Sequence, residues 1–314
     1  MRVIIPGASG FIGKNLVLKA PKTWEIVAMY NQSHEFPGFV KEHSLGNVST
    51  VKCDLRSTDE VAEIATQVGN DFDVCVYLAA NGNPAVSVGD PILDLNLSTI
   101  TVLNLLQVFR VRRLVYLSSG AVYDGLKGPV SPAVQVKPRL AYAISHWASE
   151  HYVQFFAHRT DAIEEYVVLR FFGAYGPYEP ERKVYTKLVK AFYFENTNEF
   201  TVRGNGKNYI DAMYIDDAIR GMLKVIASDK VNITVDFCSG APLTINELVQ
   251  KAARTFGFTE LEIEHTGQVP EYINFYASGE AMAQLFRFRP KVSLEEGLQR
   301  FAEFLKQQEE IVNG

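Results

Sequence analysis

The chain has 314 residues, of which 47% are hydrophobic and 21% charged, and its formal net charge at pH 7 is −5. This is enough apolar material for one large globular domain or two closely packed ones. The negative charge argues against nucleic acid or an anionic membrane as the main partner. No apolar run approaches the length of a membrane span, and no signal peptide is visible. Three cysteines in apolar runs without metal-ligand spacing predict reduced core thiols, a cytoplasmic location and no metal site.

The N-terminal stretch is a short apolar run followed by glycines at three-residue spacing. The run, residues 3–5, predicts a buried strand, and the glycines predict a tight turn into a helix that opens near Gly10. Such a turn lets the backbone approach a pyrophosphate, whose charge is stabilised by the free N–H groups at the helix start. A plain turn would give the same spacing. We predict a dinucleotide site formed by Gly7, Ser9, Gly10, Phe11, Ile12 and Gly13.

The second predicted strand, residues 25–30, ends without a carboxylate. It is followed by Asn31, Gln32 and Ser33, whereas dinucleotide folds that prefer NAD place Asp or Glu at this point to bind the adenosine ribose. Without that acid a 2′-phosphate would meet no repulsion, and Asn31 or Ser33 would hydrogen-bond it. This favours NADP over NAD, although no Arg supplies the usual positive charge. A polar loop that only borders the adenine is the alternative.

Strands and helices alternate through the first half of the chain. Further strands are predicted at residues 51–55, 73–80 and 114–117, the last leading into Ser119, and helices at 58–68 and 91–109. This alternation predicts an α/β fold with a Rossmann-like, doubly wound parallel sheet, whose ligands bind at the carboxyl ends of the strands. Residues at these ends are therefore candidates for cofactor contacts, namely Asp54, Leu55, Leu78, Ala79 and Ala80. Asp54 is equally consistent with a plain turn.

A long helix follows at residues 140–158, with Tyr142 and His146 one turn apart on the same face. A sixth strand is predicted at 165–170 and a last one at 233–238, with an irregular stretch between them. The remainder is mostly helical, with a loop around Gly267 to Pro270. We expect a dinucleotide-binding part, residues 1–171 and 208–238. A smaller substrate-binding region, residues 172–207 and 239–314, is expected to cover the open end of the sheet.

Several short motifs along the chain match one family. They are Gly7-x-x-Gly10-x-x-Gly13, Asp54-Leu55, Leu78-Ala79-Ala80, Asn96, Ser118-Ser119-x-x-Val122-Tyr123, Tyr142-x-x-Ser145, Leu169-Arg170-Phe171-Phe172, Tyr175-Gly176-Pro177 and Tyr214-Ile215-Asp216-Asp217. With them the chain resembles the extended short-chain dehydrogenase/reductases, which include the nucleotide-sugar epimerases and dehydratases, over nearly its whole length. The resemblance implies hydride transfer between a nicotinamide cofactor and a sugar carbon.

The same resemblance implies the catalytic residues. Tyr142 takes the proton and Ser119 hydrogen-bonds the same reacting oxygen. Polar residues without a catalytic role, at the ends of a helix and a strand, would give the same sequence pattern. The family has a lysine four residues after the tyrosine, where it holds the nicotinamide ribose and lowers the tyrosine pKa by its charge. Here the residue is His146, which is mostly neutral at pH 7 because an ordinary histidine pKa is near ~6.5. We expect a less activated Tyr142, with slow turnover or an alkaline optimum; vestigial redox chemistry is the alternative.

The resemblance also implies ligand contacts beyond the catalytic residues. Asn96 and Phe172 are expected beside the cofactor, together with Tyr142 and His146. For the substrate, Asn81, Ser119, Gly120 and Gly173 are expected as contacts. In many relatives an asparagine and two arginines bind the substrate diphosphate, and all three are replaced at the corresponding places, Gly173, Ile210, and His265 or Thr266. Basic residues nearby in the sequence are the candidates for binding the diphosphate instead, although they would equally fit ordinary solvent-exposed residues: Arg182, Lys183, Arg203 and Lys207.

The motifs narrow the reaction further. Gly120 and Ala121 stand where the family's 4,6-dehydratases carry Asp-Glu, and Ala121 and Tyr178 stand where its 3,5-epimerases carry cysteine and histidine. The expected reaction is therefore redox at one carbon, C4, of a nucleotide sugar, by a 4-epimerase, a dehydrogenase or a ketoreductase. A reductase of a non-nucleotide keto compound and a cofactor-binding regulatory protein are the alternatives. The resemblance also implies a homodimer through helices around 95–109 and 142–158. Apolar residues are available for a second face, although core packing explains most of them equally well: Leu103, Val153, Phe155 and Phe156.

Overall fold

The computed structural model describes residues 1–268 and 273–313, and the predicted loop around Gly267 to Pro270 lies partly outside the described residues. The strands are β1 (Arg2–Pro6), β2 (Glu25–Tyr30), β3 (Val48–Lys52), β4 (Asp71–Tyr77), β5 (Arg110–Ser119), β6 (Lys127–Pro129), β7 (Ile163–Phe171), β8 (Ala174–Tyr175), β9 (Glu199–Arg203), β10 (Tyr209–Ile210), β11 (Met213–Tyr214), β12 (Ile233–Phe237), β13 (Leu243–Thr244), β14 (Glu262–Thr266) and β15 (Asn274–Tyr276). The helices are α1 (Phe11–Lys19), α2 (Phe36–Glu42), α3 (Thr58–Val68), α4 (Pro84–Gly89), α5 (Pro91–Leu95), α6 (Thr101–Val108), α7 (Ala141–Arg159), α8 (Val184–Val189), α9 (Ile215–Ile226), α10 (Ile245–Thr255), α11 (Glu280–Phe286) and α12 (Leu294–Asn313).

Seven parallel strands form the central sheet in the order β12-β7-β5-β4-β1-β2-β3. The chain runs outward from β1 to β3 and then returns to place β4 on the other side of β1, so the strand order reverses between β1 and β4. Ligands of open α/β sheets bind at such a reversal, outside the carboxyl ends of the strands. The predicted Rossmann-like, doubly wound α/β fold is confirmed.

Apolar residues on both faces of the sheet bury it between two layers of helices. In β1, Val3 and Ile5 pack into one core cluster and Ile4 into the other, and all three are fully buried. Ile4 stands in register with Val27 of β2 and with Cys75 of β4. A strand that is buried on both faces reads as a continuous apolar run, which is why the short run at the N-terminus predicted this strand.

The predicted helix at 91–109 is interrupted. A π-helical turn, Asn96–Ile100, joins α5 to α6, and the helix ends at Val108. The stretch also corrects the expectation about membrane spans. In the part of the chain that the structure describes, Pro91–Val108 is one helical stretch long and apolar enough to cross a membrane by length and composition, with a mean hydropathy of 1.2. A core helix passes the same test, and 44% of this stretch is buried.

The residues predicted on a dimer face divide between core and surface. Val153 is fully buried and Phe156 is 9% exposed, so for these two the core-packing alternative is the correct one, because both pack into the core cluster beneath α7. Leu103 is partly buried against the same cluster. Only Phe155, at 51% exposed, presents its ring to the outside of α7.

The C-terminal part contains more strand than its pattern predicts. Short two-stranded sheets pair β9 with β14, β10 with β13, β11 with β8, and β15 with β6. Each has strands of two to five residues, too short for a period-two alternation to stand out in the sequence. Within this part, α10 begins at a capping box in which Thr244 and Glu247 bond each other's backbone N–H groups.

Candidate active site

The predicted dinucleotide turn lies at the reversal of strand order. Gly7 follows β1 with a φ of +83°, and a Cβ added there would lie 2.7 Å from the backbone nitrogen of Ala79, just beyond β4. A Cβ on Gly13 would lie 2.4 Å from the carbonyl oxygen of Ala8, so α1 packs tightly on the turn. Gly10 begins α1 without a side-chain cap, which leaves the first N–H groups of α1 for another acceptor. Ser9, Phe11 and Ile12 are half-buried along this turn.

The ends of β2 and β3 bring together the residues predicted for the adenosine end. Asp54 accepts hydrogen bonds from Arg56 through its backbone N–H at 3.0 Å and through Nε at 2.9 Å. The Arg56 side chain holds the pKa of the Asp54 carboxyl below its ordinary value, and a hydrogen bond from Asn31 adds to this effect. Arg56 was not considered from the sequence, although it stands only two residues beyond Asp54. Ser33 is half-buried nearby in sequence.

The two residues predicted to carry the chemistry meet at the carboxyl end of the sheet. Ser119 ends β5 and Tyr142 lies in the first turn of α7. Burial raises the pKa of Tyr142, and the Ser119 side chain beside it has a smaller lowering effect. The Oγ of Ser119 accepts a hydrogen bond from the backbone N–H of Ala121 at 3.1 Å, which restrains the serine side chain at the end of β5.

His146 lies against Tyr142 on the same face of α7, with ring centroids 4.6 Å apart. The ring is 3% exposed, and burial lowers its pKa to about 4, with a smaller opposing effect of Asp94. It is therefore neutral at pH 7. Its Nδ1 is 3.4 Å from the Tyr116 hydroxyl, whereas its Nε2 is buried with no hydrogen-bond partner among the described residues. Buried polar atoms are normally paired, so Nε2 fits a hydroxyl of a bound ligand, such as a ribose.

A buried carboxylate, Asp94, lies beside this pair and was missed from the sequence. It is fully buried on α5 and accepts hydrogen bonds at 2.7 Å from both Asn81 Nδ2 and Ser145 Oγ. The backbone N–H of Asn81 donates to Ser98 Oγ at 3.2 Å. Asp94 thereby fixes the predicted substrate residue Asn81 to α7. A lone Asp within an apolar helical stretch was the signal available in the sequence.

The predicted contacts at the other side of the site are built around an aromatic cluster. Phe172 packs on Gly120, where an added Cβ would lie 3.1 Å from the ring, and its ring is near those of Tyr123 and Phe275. Gly120 is therefore needed for the seating of Phe172. Gly173 has a φ of +144° and packs against Ala212.

The predicted basic residues do not form one cluster. Arg182 is exposed, and its Nη2 donates to the carbonyl oxygen of Gly82 at 2.9 Å, next to Asn81. Its charge also acts on Tyr142. Arg203, by contrast, is exposed on β9, in register with Thr266 of β14. Asn96 is half-buried at the start of the π-helical turn after α5.

Comparisons with known proteins agree with the observed fold. The model of the NAD dependent epimerase/dehydratase family matches residues 3–235. A putative UDP-glucose 4-epimerase of Methanocaldococcus jannaschii is 24% identical over 313 residues, 97% of this chain and 98% of the relative. A UDP-glucuronate 4-epimerase of Thermodesulfobacterium geofontis is 26% identical over 255 residues, 76% of this chain and 73% of the relative. The crystal structure of UDP-glucuronic acid 4-epimerase from Bacillus cereus, in complex with UDP-glucuronic acid and NAD, superimposes with a TM-score of 0.85 at 22% identity, covering 98% of this chain and all of that one.

Proposed function

The chain belongs to the NAD dependent epimerase/dehydratase family, and on this premise we propose that it is an NAD(P)-dependent epimerase or oxidoreductase acting at C4 of a nucleotide-activated sugar. One observation carries the proposal. Ser119, at the end of β5, and Tyr142, in the first turn of α7, lie close enough for the Ser119 side chain to lower the pKa of Tyr142, beside a glycine turn suited to a dinucleotide. The relatives named as 4-epimerases support the choice of C4.

Each residue of the site has a definite task in this proposal. A bound nicotinamide supplies hydride exchange with the sugar carbon. Tyr142 accepts the proton of the sugar hydroxyl at its own oxygen and returns it, while Ser119 holds that hydroxyl through its Oγ. His146 offers Nε2 to a ribose hydroxyl, and Phe172 and Asn96 border the nicotinamide part of the site. Gly120 and Ala121 lack carboxyl groups beside Ser119, so we do not propose water elimination.

The adenosine end favours NADP over NAD in this proposal. No carboxylate stands directly at the end of β2, and the guanidinium of Arg56 lies beside Asp54, on which Asn31 also acts. A 2′-phosphate would find a positive charge and the hydroxyl of Ser33 there. The carboxylate oxygens of Asp54 already accept hydrogen bonds from Arg56, so they are less available to a bound cofactor.

The substrate region is proposed to take a nucleoside diphosphate sugar. Asn81 and Arg182 lie on the sugar side, since both adjoin the Asp94 and Tyr142 environment. Arg203 on β9 is the candidate for the diphosphate. The division into a dinucleotide-binding part (1–171 and 208–238) and a substrate-binding region (172–207 and 239–314) belongs to the same proposal.

A homodimer is also proposed, through an exposed apolar surface of α4, α5 and α7. These three helices pack against one another, and large apolar side chains on them are 42–71% exposed. They are Val88, Ile92, Leu95, Ile144, Tyr152 and Phe155. Two copies of this surface packed on each other would cover it.

A second function is supported by His146. Because this buried ring is neutral, Tyr142 has no cation beside it on α7, and a catalytically weakened, cofactor-binding regulatory protein is the alternative. A third possible function is that of a reductase that acts on a keto compound without a nucleotide.

The test is to denature the purified protein, identify any released dinucleotide by mass spectrometry, and then follow UDP-glucose and UDP-glucuronate by proton NMR with added NAD or NADP. The proposal expects conversion at C4, and loss of that conversion in Tyr142→Phe, which keeps the ring but has no hydroxyl. Binding of a dinucleotide without conversion of any nucleotide sugar or keto compound would support the regulatory alternative. Tightly held NAD(H) would contradict the preference for NADP, and an absence of any dinucleotide binding would contradict the enzyme.

A further inference from the structure

A short turn leads the chain away from Ser119 at the end of β5. It is a single 3₁₀ turn, Gly120–Tyr123, and Asp124 stands directly after it. The turn is anchored at both ends. At its start the Oγ of Ser119 accepts a backbone N–H of the turn at 3.1 Å, and at its end the buried hydroxyl of Tyr123 donates to Asp236 of β12 at 2.7 Å. The turn is therefore fixed on the sheet, and the backbone of Asp124 is fixed with it.

The carboxylate of Asp124 reaches from this turn to the start of α7. Its Oδ2 accepts hydrogen bonds from the backbone N–H groups of Arg139, at 2.8 Å, and of Leu140, at 3.0 Å. The Arg139 side chain makes a second contact between the same two segments, because a Cβ added at Gly125 would lie 3.3 Å from its Nε. The two residues that precede α7 are thereby held to the turn that follows Ser119.

The first residues of α7 supply no cap of their own. Leu140, the residue before the helix, has an apolar side chain, and the first turn contains no acidic residue. The first N–H groups of a helix lack partners within it, and a carboxylate near them is favourable both as an acceptor and through the helix dipole. Asp124 provides both from 16 positions earlier in the sequence. Without it the start of α7, where Tyr142 is the second residue, would fray more readily.

We propose that Asp124 is a positioning residue, which holds the first turn of α7 so that Tyr142 stays beside Ser119. It acts through the backbone N–H groups of residues 139 and 140. The inference rests on the proposed function, in which Tyr142 and Ser119 carry the reaction. Because a misplacement of about 1 Å between reacting groups costs up to about a hundredfold in rate, a looser start of α7 should lower kcat more than it raises KM.

Two variants of Asp124 and one control test this assignment by steady-state kinetics with the substrate that the wild type converts. In Asp124→Ala the acceptor is lost, and kcat should fall by roughly 10- to 100-fold, with a smaller change in KM and in dinucleotide affinity. In Asp124→Asn most of this loss should be recovered, because both N–H groups bond to one oxygen and an amide oxygen has two lone pairs. The control is Ser293→Ala. Ser293 precedes α12 and its Oγ accepts the backbone N–H of Glu296 at 3.1 Å, so this variant loses a helix cap of another helix and should keep its kcat.

Amide hydrogen exchange gives a second readout that needs no substrate. In Asp124→Ala the amides of residues 139–143 should exchange roughly fivefold faster than in the wild type, as expected for the loss of a helix cap. Those of residues 150–159, farther along α7, should keep their rates, and Asp124→Asn should restore protection at 139–143.

The two readouts separate this inference from the proposed function. If the wild type converts no nucleotide sugar, the proposed function falls, and the exchange pattern alone decides whether Asp124 holds the start of α7. Unchanged exchange at residues 139–143 in folded Asp124→Ala overturns the inference. So does an unchanged kcat in that variant, or a kcat in Asp124→Asn as low as in Asp124→Ala.

Discussion

Replacing His146 by lysine places a cation beside the tyrosine on its own helix. The ring centroids of Tyr142 and His146 are 4.6 Å apart, and an opposite charge within about 4–6 Å lowers the pKa of an acid by about 1–3. We take the lower end of that range, because burial would favour a neutral amine at this position while Asp94 would hold its proton. The ascending limb of kcat/KM should therefore move to lower pH by about one pH unit, and the rate near neutral pH should rise about tenfold.

The assay compares wild type, His146→Lys and His146→Met over the neutral to alkaline range with a nucleotide-sugar substrate that the wild type turns over. Met has a similar length and no charge, so it separates the loss of the histidine from the gain of a cation. Circular dichroism and dinucleotide binding verify that the variants fold. A folded, dinucleotide-binding His146→Lys protein with an unchanged or lost rate near neutrality would refute the idea that the missing cation at residue 146 limits the activation of Tyr142.

The remaining predictions concern the cofactor turn, the surface and stability. Gly7→Ala should lower the free energy of unfolding in denaturant by roughly 2–4 kcal/mol and weaken dinucleotide binding. The added Cβ would sit on a residue with a left-handed φ of +83° and lie 2.7 Å from the backbone of Ala79. The control Gly38→Ala, at a position with open space around it, should change neither. Phe155→Glu, at a side chain 51% exposed, should shift a dimer to monomer in sedimentation with the unfolding midpoint retained, and an unchanged mass contradicts the proposed surface. The pKa of His146 falls from 6.5 to about 4 on folding, so the unfolded state binds more protons than the folded state between these pH values. The free energy of unfolding of the wild type should therefore fall by up to about 3 kcal/mol as the pH falls from 6.5 to about 4. In His146→Gln this part of the loss should be missing.

The sheet could be predicted from the sequence because its strands are buried on both faces. Val3, Ile4 and Ile5 read as an apolar run for the same reason that they form a core strand. Tyr142 and His146 could be placed together because helical spacing alone decides which residues share a face. The short strands from β8 onward, and the π-helical turn after α5, have no such local signature, since long-range pairing and helix packing decide them.

The charges of the site could not be assigned in the same way. Asp94 and Arg182 stand 88 positions apart in the sequence, and neither lies in a motif that marks it as a partner of Tyr142. Whether Val153 and Phe156 face a second subunit or the core could not be decided from the sequence for a related reason. Apolar and polar residues are not separated on α7, and the position of this helix over the sheet decides which of them are buried.

In the family that the sequence resembles, one lysine both holds the nicotinamide ribose and lowers the pKa of the tyrosine. In the proposed function these two tasks would fall to different residues. Nε2 of His146 is available to a ribose hydroxyl without any charge, whereas Arg182 acts on Tyr142 from the segment between β8 and α8. An uncharged substitution at 146 should therefore change dinucleotide affinity more than the titration of Tyr142. A substitution at 182 should do the reverse, and a substrate anion that pairs with Arg182 would reduce its effect on the tyrosine.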